Sequence, residues 1–400
     1  MSFSDKAWEH GSKVGATGGS PLQAVSYQDA GVDIDTGNRA VELIKEKVRS
    51  TFGPQVLTGI GGFGSLYAFS GYRNAVLVAS ADGVGTKLKI AFAMDRHDSV
   101  GTDLVHHCVN DILTSGATPL FFLDYAAFGK LVPEKLAQIV SGLAEGCRNG
   151  GCALVGGETA EMPGLYATDE YDLAGFIVGA VERDRVVTGE RIRAGDQLWG
   201  FASNGLHTNG YSLVREVLKG EPLDREWPEL GGTLGDELLR VHRCYLEPMK
   251  RLMGEGDEAP PHGDARGLEP AATGTTELPL PLGEGRGEVS ERIGGFVDVR
   301  GMAHITGGGI PGNVSRVIPS GLKAVFRWGS WPVLPIFSLI QQRGRIPLEE
   351  MLRVFNVGLG FVFVCPPEDE GAVRRLAPEA MLVGEVMASD SEERVAVEGV

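Results

Sequence analysis

The sequence predicts an α/β (α+β) protein of two domains, in which strands and helices alternate along 400 residues. Three observations support this class. Short apolar runs typical of buried strands alternate with segments of helical period. Hydrophobic residues make up 42% of the chain and charged residues 22%, which is the balance of a globular protein. Glycine, with 58 residues, is roughly twice as frequent as usual, and this excess indicates many tight turns and close backbone approaches.

The first half of the chain is divided by clear local signals. Residues 1–25 are polar and rich in Gly and Ser, which predicts a flexible arm. A boundary near residue 183 would separate an N-terminal domain at 26–183 from a C-terminal domain at 184–400. The elements predicted for the N-terminal domain are a helix from Asp35, a strand at 75–80, a helix at 103–115, a strand at 119–124, a helix opened by Pro133 and closed by Asn149-Gly150, and strands at 152–155 and 173–181.

The second half carries the same alternation, with one interruption. Its predicted elements are a strand at 197–203, a helix from Tyr211, a longer helix from near Asp236, a strand at 357–364, a helix at 369–376, and strands at 381–386 and 393–397. Residues 254–292 hold eight glycines and five prolines among 39 residues and no aromatic side chain. This composition predicts a disordered insertion within the C-terminal domain.

Charge and composition exclude several classes of protein. The chain has 37 Lys and Arg against 53 Asp and Glu, a net charge of −16, which disfavours nucleic-acid binding over a broad face. The first 13 residues have no apolar core, so we predict no signal peptide. The longest clean apolar run, 173–181, is too short to span a membrane. Five scattered cysteines without CxxC spacing indicate reduced thiols in a cytoplasmic protein.

The segment after the strand at 75–80 combines several groups that bind phosphate and metal. It contains a carboxylate, two glycines, a hydroxyl and an ammonium at Asp82, Gly83, Gly85, Thr86 and Lys87. A carboxylate suits Mg²⁺, glycines let backbone amides approach phosphate oxygens, and a lysine adds a positive charge. An ordinary Asp-Gly turn explains the segment equally well.

The helix at 103–115 has a polar face. Asp103, His107 and Asp111 follow one another at i, i+4 and i+8, with Asn110 beside them. Asp and Asn oxygens could bind a hard cation, whereas a solvated helix surface is the alternative. His106 and His107 point about 100° apart as helical neighbours, so together they make a poor chelate.

Four further loops could contribute to a site. Glu158 and Glu161 follow the strand at 152–155, at the sheet edge where ligands of α/β proteins usually bind. His207, in the loop 203–212, has a side chain that titrates near neutral pH and could act as an acid or a base, although a lone loop histidine is often a bystander. Glycine-rich loops at 59–65 and 304–313 suit anions. Taken together, these features favour a Mg²⁺-nucleotide enzyme with a second phosphorylated ligand.

An ordered series of motifs makes the interpretation specific. The motifs are SYQDAGVDIDTGN at 26–38, GIGGFGSLY at 59–67, DGVGTKLK at 82–89, CVNDI at 108–112, GGETAEMPG at 156–164, HTNGYSLVR at 207–215, HITGGGIPGN at 304–313 and FNVGLG at 355–360. This series resembles the phosphoribosylformylglycinamidine cyclo-ligase (aminoimidazole ribonucleotide synthetase) family of ATP-binding enzymes. The resemblance covers residues 26–400 except the insertion.

The resemblance implies a fold, partners and a reaction. The N-terminal domain is expected to form a β-barrel shared across a homodimer, and the C-terminal domain to be a mixed-sheet α/β domain. ATP and formylglycinamidine ribonucleotide would share a cleft between the domains. ATP would phosphorylate the formyl amide oxygen, the neighbouring amine would attack the activated carbon, and phosphate would leave as the imidazole ring closes. Binding to nucleic acid or to membranes is not expected.

The resemblance also assigns roles to individual residues. Asp82 and Asp111 would hold Mg²⁺, Lys45 and Lys87 would lie near the nucleotide, and His207 would be the active-site histidine. Asn110, Thr86 and Glu158 would line the nucleotide or metal site, together with the glycines of the two N-terminal loops, Gly59, Gly61, Gly62, Gly83 and Gly85.

The sequence departs from the family pattern in three places, and two alternative functions remain open. Gln28 stands where many relatives have lysine, and the insertion at 254–292 is not a family feature. His106 and His107 replace apolar residues, which predicts no role for them.

One alternative function is that of another enzyme of the superfamily: formylglycinamidine synthase, selenophosphate synthetase or thiamine-phosphate kinase. The other is a nucleotide-binding scaffold without activity, which an ATP turnover assay would distinguish.

Overall fold

The computed structural model describes residues 26–254 and 295–400. The predicted arm at 1–25 and all but the first residue of the predicted insertion at 254–292 lie outside these ranges. Within them the chain forms two mixed sheets, each with its own helices, and one small two-stranded ribbon. The α/β class with two domains is therefore confirmed. No helix among the described residues is both long and apolar enough to cross a membrane.

The first sheet and its helices account for residues 34–182. In chain order the elements are α1 (Ile34–Arg49), β1 (Ala75–Gly83), α2 (Leu88–Met94), α3 (Asp98–Leu113), β2 (Thr118–Phe128), α4 (Pro133–Asn149), β3 (Ala153–Glu161) and β4 (Tyr171–Glu182). The strand order is β1-β4-β2-β3, and only β2 and β3 run parallel. Strands β1 and β3 extend further than predicted, so Asp82 and Glu158 lie within the ends of strands rather than in loops.

Helices α3 and α4 pack against each other at very short range. A Cβ atom on Gly101 of α3 would lie 2.2 Å from the carbonyl oxygen of Ile139, and one on Gly142 of α4 would lie 1.9 Å from that of Asp98. Only glycine allows such an approach at these two positions. The contact holds α3 in the interior, and its apolar residues pack against β1, β2 and β4.

The second sheet and its helices account for residues 197–398. In chain order the elements are β5 (Gln197–Ala202), α5 (Tyr211–Val217), β6 (Glu226–Trp227), β7 (Gly232–Thr233), α6 (Leu234–Leu238), α7 (Leu246–Met253), β8 (Gly301–His304), α8 (Gly309–Val314), β9 (Leu322–Arg327), α9 (Pro335–Gly344), α10 (Leu348–Val354), β10 (Leu359–Cys365), α11 (Glu370–Leu376), β11 (Met381–Ala388) and β12 (Val395–Glu398). The order is β12-β9-β11-β5-β10-β8, and only the β12–β9 pair is parallel.

The long helix predicted from near Asp236 is replaced by two short ones, α6 and α7. Between them, backbone groups at 242–245 bond to side chains of α3 instead of to a continuing helix. Asp103 accepts the amide of His242 at 2.7 Å, and Asn110 accepts that of Tyr245 at 2.9 Å. Interdomain hydrogen bonds therefore satisfy the backbone that a longer helix would otherwise use.

Candidate active site

A cleft of about 550 Å³ lies between the two sheets. One wall comes from β1 and the last turns of α3, and the other from the end of β8 and the glycine-rich segment leading into α8. Its polar lining comprises Ser80, Asp82, His107, Asp111, Thr114, Ser115, Asn209, His304, Thr306, Asn313 and Arg316. Two of the residues predicted from the motifs, Asp82 and Asp111, thus meet in the same cleft.

His107 bridges the two aspartates. Its Nε2 lies 2.7 Å from Oδ2 of Asp82 and 3.7 Å from Oδ2 of Asp111. Its Nδ1 lies 2.8 Å from the hydroxyl oxygen of Thr208, so both ring nitrogens have a partner. The imidazole is buried, while the carboxylates keep 39% and 29% of their side-chain surface exposed to the cleft. The cleft therefore presents oxygens to a ligand and encloses the imidazole behind them.

Burial and charge act in opposite directions on these groups. Burial alone would lower the pKa of His107, but its hydrogen bond to Asp82 and the charge of Asp111 outweigh burial and raise it. Burial alone would raise the pKa of both carboxyls, but His107 lowers that of Asp82 and His304 lowers that of Asp111. The attraction between the imidazoles and the two carboxylates therefore outweighs the effect of burial on the pKa of His107 and of both aspartates.

His304, the last residue of β8, completes the cluster from the second sheet. Its Nδ1 lies 2.8 Å from Oδ1 of Asp111, and its Nε2 lies 2.9 Å from Nε2 of His242. The glycine-rich pattern at 304–313 predicts an anion-binding loop and assigns no role to its first residue, His304. The signal that could have identified His304 is its position at the end of a strand, because a strand end places the side chain at the sheet edge.

Helix α3 is buried along most of its length. Its polar face is buried rather than solvated: Asp103 is 0% exposed and His107 4%. The pair of histidines, for which we predicted no role, is divided between two environments. His106 Nδ1 lies 2.6 Å from the carbonyl oxygen of His242, whereas His107 faces the aspartates. The divergence of neighbouring side chains prevents chelation by the pair, but it delivers one of them to the cleft.

His207 lies behind the cleft rather than in its wall. It is 1% exposed, and its backbone φ of 62° is in the left-handed region. Its ring stacks on that of His242 at a centroid distance of 3.9 Å, and its Nε2 lies 3.4 Å from the Tyr245 hydroxyl. Burial, reinforced by the nearby His304 and Lys87, holds its pKa well below the ordinary value. The buried Nδ1 has no hydrogen-bond partner among the described residues.

Lys87 is fully buried and faces protein oxygens instead of the cleft. Its ammonium lies 2.7 Å from Oδ2 of Asp103 and donates to the carbonyls of Arg240 at 2.8 Å and His207 at 3.3 Å. Burial lowers its pKa despite the nearby Asp103. A phosphate contact by Lys87, predicted from the sequence, would require this ion pair to open.

Two other predicted residues make contacts between the two halves of the chain, and two predicted glycines lie near them in sequence. Asn110 is 0% exposed, and its amide donates to the carbonyl of Arg243 while its oxygen accepts from Tyr245. The hydroxyl of Thr86 lies 3.0 Å from that of Ser212. Gly83 donates its amide to Asp82 at 2.7 Å, which orients the carboxylate. Gly85 adopts a φ of 66°, which glycine accommodates without strain.

A second cavity of about 850 Å³ lies in the N-terminal half, between α1, the loop 59–65 and the strands β2 and β3. The predicted glycines Gly59, Gly61 and Gly62 line it together with Glu158. Lys45 lies on α1, whose apolar residues also line the cavity, but its ammonium pairs with Glu42 on the same helix. Some of the predicted site residues thus line this cavity and others the interdomain cleft, whereas Lys45, Lys87 and His207 line neither.

Two carboxyls near the second cavity behave differently. Asp124 lines it, and burial raises the pKa of this carboxyl to about 7. A Cβ on Gly157 would lie 2.3 Å from its Oδ1, so the glycine makes room for it. Glu161 instead accepts the backbone amides of Asp33 and Leu131, which gives it a structural role.

The C-terminal wall of the cleft supplies hydrogen-bond donors. Arg316 and the segment Thr306–Gly307 line it opposite the aspartates. Asn209 also lines the cleft, and its buried Nδ2 has no partner among the described residues. A donor without a partner beside an arginine and a glycine segment fits an anionic ligand. Two carboxylates and a set of hydrogen-bond donors therefore line the same cleft.

Comparison with known proteins first defines the class. Residues 68–181 match the AIR synthase related protein, N-terminal domain, and residues 282–397 the AIR synthase related protein, C-terminal domain. Thiamine-monophosphate kinase from Stenotrophomonas maltophilia K279a has the same fold, with a TM-score of 0.58 and 16% identity over 90% of this chain and 96% of that chain. E. coli HypE has a TM-score of 0.57 and 16% identity, with 91% of this chain and 94% of that chain covered. The two-domain fold is that of AIR synthase related proteins.

More similar relatives define the family. A phosphoribosylformylglycinamidine cyclo-ligase of Anaeromyxobacter dehalogenans (strain 2CP-1) is 49% identical over 373 residues, which cover 91% of this chain and 96% of the relative. That of Geobacillus kaustophilus (strain HTA426) is 47% identical over 372 residues, with the same coverage. The chain belongs to the phosphoribosylformylglycinamidine cyclo-ligase family, as its ordered motifs predicted.

Proposed function

We propose that the protein converts formylglycinamidine ribonucleotide to aminoimidazole ribonucleotide by closing the imidazole ring. The reaction uses ATP, releases ADP and phosphate, and is a step of purine biosynthesis. One observation carries this proposal: the cleft places the two carboxylates Asp82 and Asp111 opposite Arg316 and a glycine-rich segment. A phosphorylated ligand with a bound cation needs both kinds of group. Family membership indicates which such ligand is used.

The proposed chemistry solves a leaving-group problem. An amide oxygen leaves poorly, so the γ-phosphoryl group of ATP is transferred to the formyl oxygen and ADP departs. The neighbouring amine attacks the activated carbon, a C–N bond forms, and the C–O bond breaks as phosphate leaves with the electron pair. The enzyme contributes mainly positioning and charge neutralisation.

The roles of individual residues follow from their places. Asp82 and Asp111 fit a divalent cation, because both expose carboxylate oxygens in one cleft beside phosphate-binding groups. Mg²⁺ bound there would neutralise phosphate charge. We assign the loop with Gly59, Gly61 and Gly62 to nucleotide binding. His207 remains our proposed acid or base, acting from behind His242, and Lys45 our proposed nucleotide contact from α1.

We also propose a homodimer formed by the N-terminal half, with a domain boundary near residue 183. Helix α3 covers one face of the first sheet, and the opposite face exposes apolar side chains. Leu77 of β1 is 61% exposed and Phe176 of β4 46%, with Ala79 and Val178 paired between them. A second copy of this face would cover these residues and could extend the sheet into a shared barrel. Sedimentation of the protein and of the variant Leu77→Asp tests this proposal.

Product analysis tests the function. Purified protein would be incubated with ATP, Mg²⁺ and formylglycinamidine ribonucleotide, and the mixture resolved by mass spectrometry. We expect aminoimidazole ribonucleotide, ADP and phosphate in equal amounts. ATP hydrolysis without the imidazole product would contradict the proposal and point to another enzyme of the superfamily. Absence of any ATP turnover would favour an inactive scaffold.

A further inference from the structure

We propose that Asp82, His107, Asp111 and His304 form a site for a first-row transition-metal dication, which they bind more tightly than Mg²⁺. The inference deepens the proposed function, since it names the class of ion for the same cleft. Its basis is the set of donor atoms, which comprises two carboxylate oxygens and two imidazole nitrogens, one from helix α3 and one from strand β8. Imidazole suits Zn²⁺, Co²⁺ and related ions, whereas Mg²⁺ prefers oxygen ligands and retains its waters.

Three of the donor atoms lie close enough together to bind one ion. Nε2 of His107 lies 2.7 Å from Asp82 Oδ2 and 3.7 Å from Asp111 Oδ2, and Nδ1 of His304 lies 2.8 Å from Asp111 Oδ1. The ligand atoms of His107, Asp111 and His304 all lie within 4.8 Å of one another. Neighbouring ligands around an ion with bonds of about 2.1 Å are about 3.0 to 3.4 Å apart. Small side-chain movements would bring these three donors to such separations, and the 2.7 Å contact with His107 places Asp82 beside them.

Ring orientation distinguishes this group from a nearby trio of histidines. The rings of His107 and His304 are inclined by 75° with centroids 5.1 Å apart, so their planes intersect and a shared ligand point is geometrically allowed. His207, His242 and His304 also have nitrogens within 4.8 Å of one another. However, the rings of His207 and His242 are stacked at 14°, and lone pairs in nearly parallel planes do not converge. The trio therefore does not form the site.

Each imidazole is also oriented from outside the donor set. The second nitrogen of His107 lies 2.8 Å from the Thr208 hydroxyl, and that of His304 lies 2.9 Å from Nε2 of His242. Such outer contacts hold a ligating ring in position and select its tautomer. Both imidazoles are nearly buried, while the carboxylates remain partly exposed. The ion would thus be enclosed on the nitrogen side and open to the cleft on the oxygen side.

Metal binding without nucleotide tests the inference on the full-length protein. After removal of bound metal with a chelator, Co²⁺ and Mg²⁺ binding would be measured by calorimetry, and Co²⁺ also by its visible absorption. We expect one Co²⁺ per chain, bound more than about tenfold more tightly than Mg²⁺. His107→Asn and His304→Asn should each weaken Co²⁺ binding by about 10- to 100-fold and change Mg²⁺ binding much less. His106→Asn is the matched control, because this neighbouring imidazole points away from the cleft, and it should leave the affinity for Co²⁺ unchanged.

A second measurement keeps the test decisive if a histidine variant folds poorly. Pulsed electron paramagnetic resonance of Mn²⁺ bound to the unmodified protein should show coupling to imidazole nitrogen. Bound Mn²⁺ without nitrogen coupling, or equal affinity for Co²⁺ and Mg²⁺, would overturn the inference. Ring closure with Mg²⁺ could still be normal in that case, so failure of this inference is distinguishable from failure of the proposed function.

Discussion

Lys87 and Asp103 form a fully buried ion pair, with 2.7 Å between Nζ and Oδ2. The same ammonium donates to the carbonyls of His207 and Arg240 in the C-terminal half. Asp103 in turn accepts the amide of His242. One lysine and one aspartate therefore join the segment after β1, the helix α3 and two loops of the second domain.

Removal of Lys87 should destabilise the protein. Lys87→Met leaves Asp103 as a buried charge without its counterion, which should lower the free energy of unfolding by about 3 to 5 kcal/mol. Adding Asp103→Asn removes that charge while keeping an oxygen for His242, so the double variant should recover part of the loss. Urea unfolding of the three proteins checks both expectations. If Lys87→Met kept its stability and lost affinity for ATP, the ammonium would be a phosphate contact instead.

The two cleft carboxylates should be needed for turnover. Asp82→Asn and Asp111→Asn each remove a negative charge that faces the cleft, and each should lower kcat by about two orders of magnitude or more. Steady-state rates and melting temperatures should be measured on the same samples. Asp224→Asn, at an exposed position, is the matched control and should turn over normally. Near-normal rates in both cleft variants would exclude the metal role.

Substitution of His207 separates two roles. If His207 is a general acid or base, His207→Gln should lower kcat by about 10² to 10⁴-fold with little change in KM. If His207 is instead a substrate contact, the substitution should raise KM and leave kcat nearly unchanged. Initial rates over a range of substrate concentrations distinguish these results. An unchanged kcat and KM would mean that this histidine is only a packing residue.

Asp124 should make stability depend on pH. Its pKa is raised from 3.8 to about 7 by burial, so its contribution to stability is fully present below pH 3.8 and is lost as the pH rises through 7. Asp124→Asn should therefore raise the free energy of unfolding at pH 8 by roughly 2 to 4 kcal/mol, since one pKa unit corresponds to about 1.4 kcal/mol. At pH 4 the two proteins should be nearly equal.

Urea unfolding at both pH values measures the Asp124 effect. Asp224→Asn again serves as the control, because an exposed carboxyl should give no difference that grows with pH. If Asp124→Asn raised the free energy of unfolding equally at pH 4 and pH 8, the Asp124 carboxyl would have an ordinary pKa in the folded protein.

Local chemistry allowed much of the fold to be predicted. Helix α4 begins at Pro133 and ends at Asn149, as predicted, because a proline suits the first turn and an Asn-Gly pair ends a helix. The class of fold and the family were likewise evident from motifs that are continuous in the chain. Asp82 and Asp111 could be selected individually, since each lies in such a motif.

Tertiary contacts decided which side chains share the cleft. Helical spacing places His107 and not His106 on the face of Asp111, but only the packing of α3 directs His106 to the backbone of His242 and His107 to Asp82. His304 meets Asp111 across 193 residues of chain, and His242 meets Asp103 across 139. The spacing of residues along a helix determines which side chains share a face. What that face contacts depends on how the two sheets pack together. No local pattern encodes this packing, so only the folded structure shows that both imidazoles meet the two aspartates.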